Sequence, residues 1–191
     1  MSTDIKTQLL DAAQLLVQTR GHNGYSYRDL AVQVGIRTAS IHYHFPTKTD
    51  MAVALVRRYR DDIADAMTKI AVEKTTLAER LDEVVAIYSH CLKSKNRICV
   101  AAALAGEYSS LPKEVQEELS RLIIDSQGWI ARFLTEGRTR GEIPAESDPA
   151  ALARLWYAAL QGALAMARAT DAQALTEVAT VLKQLTLNHR P

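Results

Sequence analysis

Between Gly35 and the lysine at 48 the chain carries Arg37, Thr38, Ser40, His42, Tyr43, His44, Thr47 and Lys48, a run of donors, acceptors and aromatic rings. Ile41 and Phe45 lie four apart, the spacing that puts both on one inward face of a helix. The polar side chains then occupy the remaining faces, in greater number than so short a helix needs for stability. Guanidinium, hydroxyl, imidazole and phenol groups in such a row contact base edges and phosphate oxygens when a helix lies in the DNA major groove. Arg37, Thr38 and Ser40 stand at the front of that helix, the part that meets base edges. Arg37 suits a bidentate pair with guanine or a single phosphate. Tyr43 and Lys48 are expected on phosphates, with Thr47 and the positive end of the next helix also favouring an anion. His44 suits a phosphate as well and would add pH sensitivity. Two positions apart on a helix, His42 and His44 point about 200° from each other, so they cannot share one metal ion, and no metal is expected.

The elements that must hold this row are readable locally. Ser26 and Asp29, three apart, form a capping-box pattern at the start of a helix whose inward stripe is Leu30, Ala31 and Val34. Gly35 follows at once and can enter the left-handed region, so the chain can reverse there, with Ile36 as the apolar residue that pins the turn. Thr38 is the expected N-cap of the second helix, and Pro46 ends it. The pattern is a helix-turn-helix.

The run Gly35-Ile36, three residues, Ser40-Ile41-His42-Tyr43-His44-Phe45, two residues, Lys48 resembles the DNA-binding signature of TetR/AcrR-family bacterial transcriptional regulators. A first helix ending in Arg20-Gly21 and the aromatic-rich Tyr25-Ser26-Tyr27 stretch sit where that family has them. The resemblance covers roughly the first 55 residues. It departs from the family at Arg37, where a capping Ser or Thr is common, and at His42, where Tyr is common. It implies a homodimer that pairs through its last two helices.

The chain has 191 residues, 48% of them apolar and 24% charged, enough to bury one or two helical cores. Net charge is only +1, which excludes a polycation that grips nucleic acid over its whole surface. The distribution is uneven: residues 1 to 60 hold eight Lys/Arg against four Asp/Glu, and the rest fifteen against eighteen. That asymmetry fits a DNA-binding module on a neutral-to-acidic partner domain. No apolar run reaches the roughly 18 to 20 residues that span a bilayer, and the MSTDIKTQLL start lacks a signal-peptide layout, so a cytoplasmic protein without membrane contact is expected. Two cysteines make no disulfide framework.

In chain order, Ile5, Leu9, Ala12, Ala13, Leu16 and Val17 mark a first helix over residues 4 to 20, with Asp4 favouring its start. Thr47 caps a fourth helix to about Ile70, the expected sole covalent lever between the DNA-binding module and the remainder. Arg57, Arg58 and Arg60 on it read as surface pairs with Asp61 and Asp62 rather than DNA contacts. A fifth helix covers about Thr75 to Leu92, the apolar segment Ile98 to Ala105 follows a polar break, and a long helix runs from about Lys113 to Thr139, with Gly137 and Gly141 at its frayed end. The last two helices span about Pro149 to Ala169 and Asp171 to Asn188. Their inward faces are Leu152, Leu155, Trp156, Ala159, Leu160, Ala163 and Ala167, and Leu175, Val178, Leu182 and Leu185. These two either cap the monomer core or pair with a second subunit as a four-helix interface.

Two further features invite chemistry. Cys91 and Cys99 flank the basic stretch Lys93 to Arg97, and neighbouring cations favour thiolate. The segment from Cys99 to Tyr108 resembles the stretch through which some members of the family sense electrophiles or oxidants, while free cysteine is also a common small core residue. In an unbroken helix the two thiols would lie about 12 Å apart along the axis, too far to bridge. Tyr88, Tyr108, Gln127, Trp129, Trp156, Gln161 and Met166 have the chemistry of an effector pocket and equally of a helical core. There is no Walker loop, dinucleotide fingerprint, HExxH or serine elbow, so neither catalysis nor a cofactor is expected.

The expected protein is all-α, about nine helices, with a helix-turn-helix domain at residues 1–46 and a helical effector-binding and dimerisation domain at 47–191. Its expected function is an effector-responsive transcriptional regulator, a repressor binding a palindromic double-stranded DNA operator as a homodimer. A small-molecule or thiol-reactive effector would release it through a swing of the fourth helix. The alternative is a helical small-molecule-binding or adaptor protein without DNA activity.

Overall fold

The structure, a computed structural model, describes residues 4–187. The expected end of the last helix at Asn188 and the first three residues of the MSTDIKTQLL pattern lie outside the described residues. The described residues form nine α-helices and no strand: α1 Ile5–Arg20, α2 Tyr27–Val34, α3 Thr38–His44, α4 Lys48–Glu73, α5 Leu77–Lys93, α6 Val100–Ala105, α7 Lys113–Thr139, α8 Pro149–Ala169 and α9 Gln173–Thr186, with a 3-10 turn at Tyr108–Ser110.

They gather into two compact units. One holds the residues up to Arg60 together with Val100–Leu122, and the other Asp61–Cys99 together with the residues from Ile123 on. The chain therefore passes between units three times, inside α4, after Cys99 and inside α7, so α4 is not the sole covalent passage between them.

In the first unit, α1 buries Leu9, Leu10, Ala12, Ala13, Leu16 and Val17. The helix-turn-helix beside it is set by its ends. Ser26 and Asp29 close a full capping box on α2, and Leu30 is its wholly buried residue. Gly35 takes φ 76° and ψ 31°, the left-handed geometry that only glycine adopts without a Cβ penalty, and its N–H bonds back to the Ala31 carbonyl. The N-cap of α3 is Arg37 rather than Thr38. It makes no side-chain cap bond, because guanidinium has no acceptor to offer the free N–H groups. Ile41 and Phe45 are both buried, as their spacing requires. Thr47 and Asp50 cap α4 reciprocally: Asp50 accepts from the Thr47 N–H and hydroxyl at 2.9 and 2.7 Å, and the Asp50 N–H donates to Thr47 Oγ1 at 3.1 Å.

In the second unit, Thr76 and Glu79 box the start of α5, and Asp148 caps α8 ahead of Pro149. Trp156 is fully buried, its indole N–H donating to Thr186 Oγ1 at 2.9 Å, which ties α8 to α9. Gly137 does not fray α7. It lies buried within that helix, where a Cβ would run into the Leu77 side chain, so its smallness lets the start of α5 approach. Of these two glycines, Gly141, just past the helix, has a positive φ. The expected inward stripes hold for Trp156, Leu160, Ala163, Leu175 and Leu182 but not for Leu155 and Leu185, which are exposed.

Candidate nucleic-acid interface

Because Ile41 and Phe45 consume the inward face of α3, its remaining side chains must point outward. Arg37, Thr38, Ser40, His42 and Tyr43 are all exposed, and His44 is half-buried. Tyr43 is 85% exposed, held only by an edge contact with the His44 ring at 5.2 Å. A large aromatic displayed this far from any core has no packing role in the unit. The His42 ring meets Tyr27 edge-on at 4.9 Å, and its Nδ1–H donates to the Pro46 carbonyl at 3.1 Å. That contact fixes the imidazole against the turn after α3.

Lys48 is placed differently from the expected phosphate contact. Its ammonium donates to the Tyr25 carbonyl and sits 4.2 Å from the centre of the Tyr25 ring. Burial lowers its pKa, with Glu107 and Asp29 pulling the other way. A flexible four-carbon stem can fold inward when a carbonyl and an aromatic face lie within reach, and Tyr25, in the loop before α2, supplies both. The Thr47 hydroxyl is likewise committed to Asp50.

Sequence reasoning missed the residues that hold the interface still. The Tyr27 hydroxyl donates to the carbonyls of Phe45 and Thr47 at 2.8 and 2.5 Å, and burial pushes its pKa up to about 12. In the loop between α1 and α2, the Asn23 N–H donates to Glu107 at 2.9 Å and its side-chain amide to Ser110 at 2.8 Å. His22 beside it is buried with Nδ1 unpartnered. Burial, then Lys48, lowers its pKa, against the pull of Glu107. None of these bonds has a local spacing signal, since Asn23 and Glu107 are 84 residues apart.

The arginines of α4 also have partners other than those expected. Glu118, only 3% exposed, accepts Arg57 at 2.9 and 2.7 Å, Arg121 at 2.9 Å and Arg60 at 3.3 Å. Arg57 first, with its neighbours, holds the Glu118 carboxyl below the usual carboxylate range. Arg58 reaches Asp11 at 2.7 Å and Gln14 at 2.9 Å. Their carboxylate partners are on α7 and α1, beyond any i, i+4 reading.

The residues with pocket chemistry divide. Tyr88, Cys91 and Cys99 are buried in the second unit, where the amide of the half-buried Gln161 donates to Cys99 Sγ at 3.4 Å. Both thiols are buried and neither is in a disulfide. Gln127 and Trp129 are half-buried on α7, with Arg132 4.2 Å over the Trp129 ring. Trp156 is sealed by Thr186 and Met166 is exposed in the second unit, and Tyr108 is exposed in the first.

Known proteins share this layout. The model for bacterial regulatory proteins of the tetR family matches residues 9–55, and that for the tetracyclin repressor-like C-terminal domain matches residues 77–182. The chain is similar to the HTH-type transcriptional repressor KstR2 of Rhodococcus jostii, 27% identical over 80% of this chain and 79% of that one. It is also similar to the nucleoid occlusion factor SlmA of a Marinomonas species, 25% identical, where the match spans 62% of each chain, less than two thirds of that relative's length. A solved transcriptional regulator of the TetR family from Agrobacterium tumefaciens superposes with a TM-score of 0.91 at 28% identity, over 96% of this chain and 97% of that one.

Proposed function

Because the chain belongs to the tetR family of bacterial regulatory proteins, we propose that it is a repressor that binds a palindromic operator as a homodimer and leaves it when an effector binds. The observation that carries the reading is α3 itself: its apolar pair is buried, while Arg37, Thr38, Ser40 and Tyr43 stand exposed on a helix whose exit turn is braced by Tyr27 and His42. In this reading Arg37, Thr38 and Ser40 meet base edges and Tyr43 a phosphate, with His42 and His44 flanking. Thr47 and Lys48 act mainly by holding the turn after α3. The repressor role is favoured by the similarity to the Rhodococcus transcriptional repressor.

The dimer is supported by α8 and α9. Leu155, Ala158, Gly162 and Met166 share one exposed face of α8, and Val181 and Leu185 lie one turn apart on α9, all with apolar surface turned outward. Pairing two such helix pairs about a two-fold axis buries that surface and sets the separation of two recognition helices, about 34 to 36 Å for successive major grooves. An effector that binds better to a conformer of different spacing shifts the population off DNA.

Selecting a palindromic site from the DNA upstream of the protein's own coding region and titrating it with and without inserted central base pairs tests this. Affinity should fall steeply on insertion and with Tyr43→Ala. Indifference to spacing would remove the dimer geometry, and an unchanged affinity for Tyr43→Ala would remove the interface.

A further inference from the structure

Two helices leave the first unit unbroken, α4 between Arg60 and Asp61 and α7 between Leu122 and Ile123. Within the last turns before they leave it, they are tied to each other. Glu118 on α7 is the one buried carboxylate among the described residues. From α4, Arg57 donates to its Oε1 at 2.9 and 2.7 Å and Arg60 to its Oε2 at 3.3 Å. Both oxygens are thus taken by the facing helix, and Arg121 adds a bond at 2.9 Å from α7 itself. In the second unit the same two helices are tied again, through the buried Arg80 of α5. Its guanidinium donates to the carbonyls of Ala71 and Lys74, at and just past the end of α4, at 3.1 and 2.9 Å, and to the Glu136 carboxylate on α7. It also lies 5.2 Å over the ring of Phe133, again on α7.

A buried charge stripped of its partner is strongly unfavourable, so each tie resists opening. At 1.5 Å per residue, α4 runs about 21 Å from Arg57 to Ala71 and α7 about 27 Å from Glu118 to Glu136. Two helices fastened to each other near both ends of such spans cannot slide independently, and a packed hydrogen-bonded frame of this kind carries displacement from one end to the other. Three residues separate α3 from α4, so α4 reaches the recognition helix through the chain. Glu118 joins α7 to that same lever within the first unit.

Resting on the reading of the chain as an effector-responsive regulator, we infer that Glu118 and Arg80 are positioning residues that make α4 and α7 one braced lever, through which the second unit sets α3. The swing expected of α4 alone becomes a joint movement of two helices. An effector that displaces either helix in the second unit therefore acts on the DNA-binding face through both.

Coupling between two sites is reciprocal, so an operator that fixes α3 must alter the second unit through the same lever. Hydrogen exchange of the full-length protein, read by mass spectrometry, tests this without a known effector. The probe is a palindromic fragment from the DNA upstream of the protein's own coding region, at saturation. It should slow exchange about threefold or more over residues 123–134, the stretch of α7 between the ties. The side chains of Arg57, Glu136 and Arg121 are 57%, 43% and 57% exposed, so alanine at each leaves the core intact, which circular dichroism checks. Arg57→Ala and Glu136→Ala should each shrink the slowing by about half and together remove most of it, while slowing at the start of α4 persists. Arg121→Ala takes a bond from the same carboxylate without cutting a link between helices, and should leave the effect whole. A double variant that keeps the full effect overturns the lever and leaves the regulatory reading standing. So does an Arg121→Ala loss as large as that of Arg57→Ala, because the network would then be merely structural. A wild-type second unit indifferent to the bound operator overturns the regulatory reading and the lever with it.

Discussion

The hydroxyl of Tyr27, at the first position of α2, donates to the carbonyls of Phe45 and Thr47 on the far side of α3, at 2.8 and 2.5 Å. One side chain from the first helix of the pair thus clamps the turn that leaves the second. With its pKa at about 12, this hydroxyl remains a donor throughout the physiological range. Tyr27→Phe keeps the ring against His42 and removes only the clamp. It should cost about 1 kcal/mol of stability, the usual net worth of one hydrogen bond, and weaken operator binding about fivefold. Urea unfolding and fluorescence anisotropy check the two figures.

The same clamp logic changes what Lys48→Ala should do. A lysine on a phosphate contributes about one unit to the slope of log affinity against log salt, and its removal weakens binding at every sequence alike. The Lys48 ammonium is instead engaged with the carbonyl and ring of Tyr25. The expected outcome is therefore an unchanged salt slope with a lowered melting temperature, a loss of about 1 kcal/mol after allowing for its partial exposure. A slope reduced by a full unit would show that the side chain leaves Tyr25 for the DNA.

These two residues mark where the sequence was legible and where it stopped. The capping box at Ser26 and Asp29, the left-handed Gly35 and the buried pair Ile41 and Phe45 were readable because each is a relation across three or four positions. Helix periodicity likewise placed α7 and α8 to the residue. The bond from Lys48 to Tyr25 was not legible because its partner lies 23 positions back, and the α4 arginines were assigned to Asp61 and Asp62 when Arg57 and Arg60 reach Glu118, about sixty positions on, and Arg58 reaches back to Asp11 and Gln14 on α1. A periodic pattern also cannot tell an inward stripe from an outward one at its margin, which is why Leu155 and Leu185 were counted into the core.

His22 predicts an acid-sensitive first unit. Its pKa in the folded chain is lowered, mainly by burial, from an ordinary value of 6.5. The unfolded chain therefore binds the proton more readily, and folding stability must fall as pH drops below about 6.5 toward the depressed value. Above that window the imidazole is neutral in both states and contributes no slope. Urea midpoints should be flat from pH 8 to about 7 and decline by pH 5.5. His22→Gln, which cannot titrate, should lose the part of the decline that falls between pH 6.5 and 5.5. The part belonging to Glu118, whose carboxyl is held below its ordinary value of 4.5, appears only at more acid pH and should persist.

Leu182 and Leu185 lie three positions apart on α9, yet the first is 5% exposed and the second 74%. A glutamate at each position should therefore fail in different ways. Leu182→Glu buries a charge in the second unit and should unfold it, a loss of several kcal/mol. Leu185→Glu meets only solvent in a single chain, so the monomer should keep its helicity and melting behaviour. In a dimer built on the exposed faces of α8 and α9 the same change sets a charge among Leu155, Met166 and Val181 and brings a symmetry-related copy of itself nearby. Its dissociation constant should rise by about tenfold or more, with a matching loss of affinity for the two-half-site operator but not for a single half-site. Sedimentation equilibrium on the wild type and Leu185→Glu checks the assembly directly. If both sediment alike as dimers, the pairing uses another surface, and the apolar face of these two helices needs a different partner.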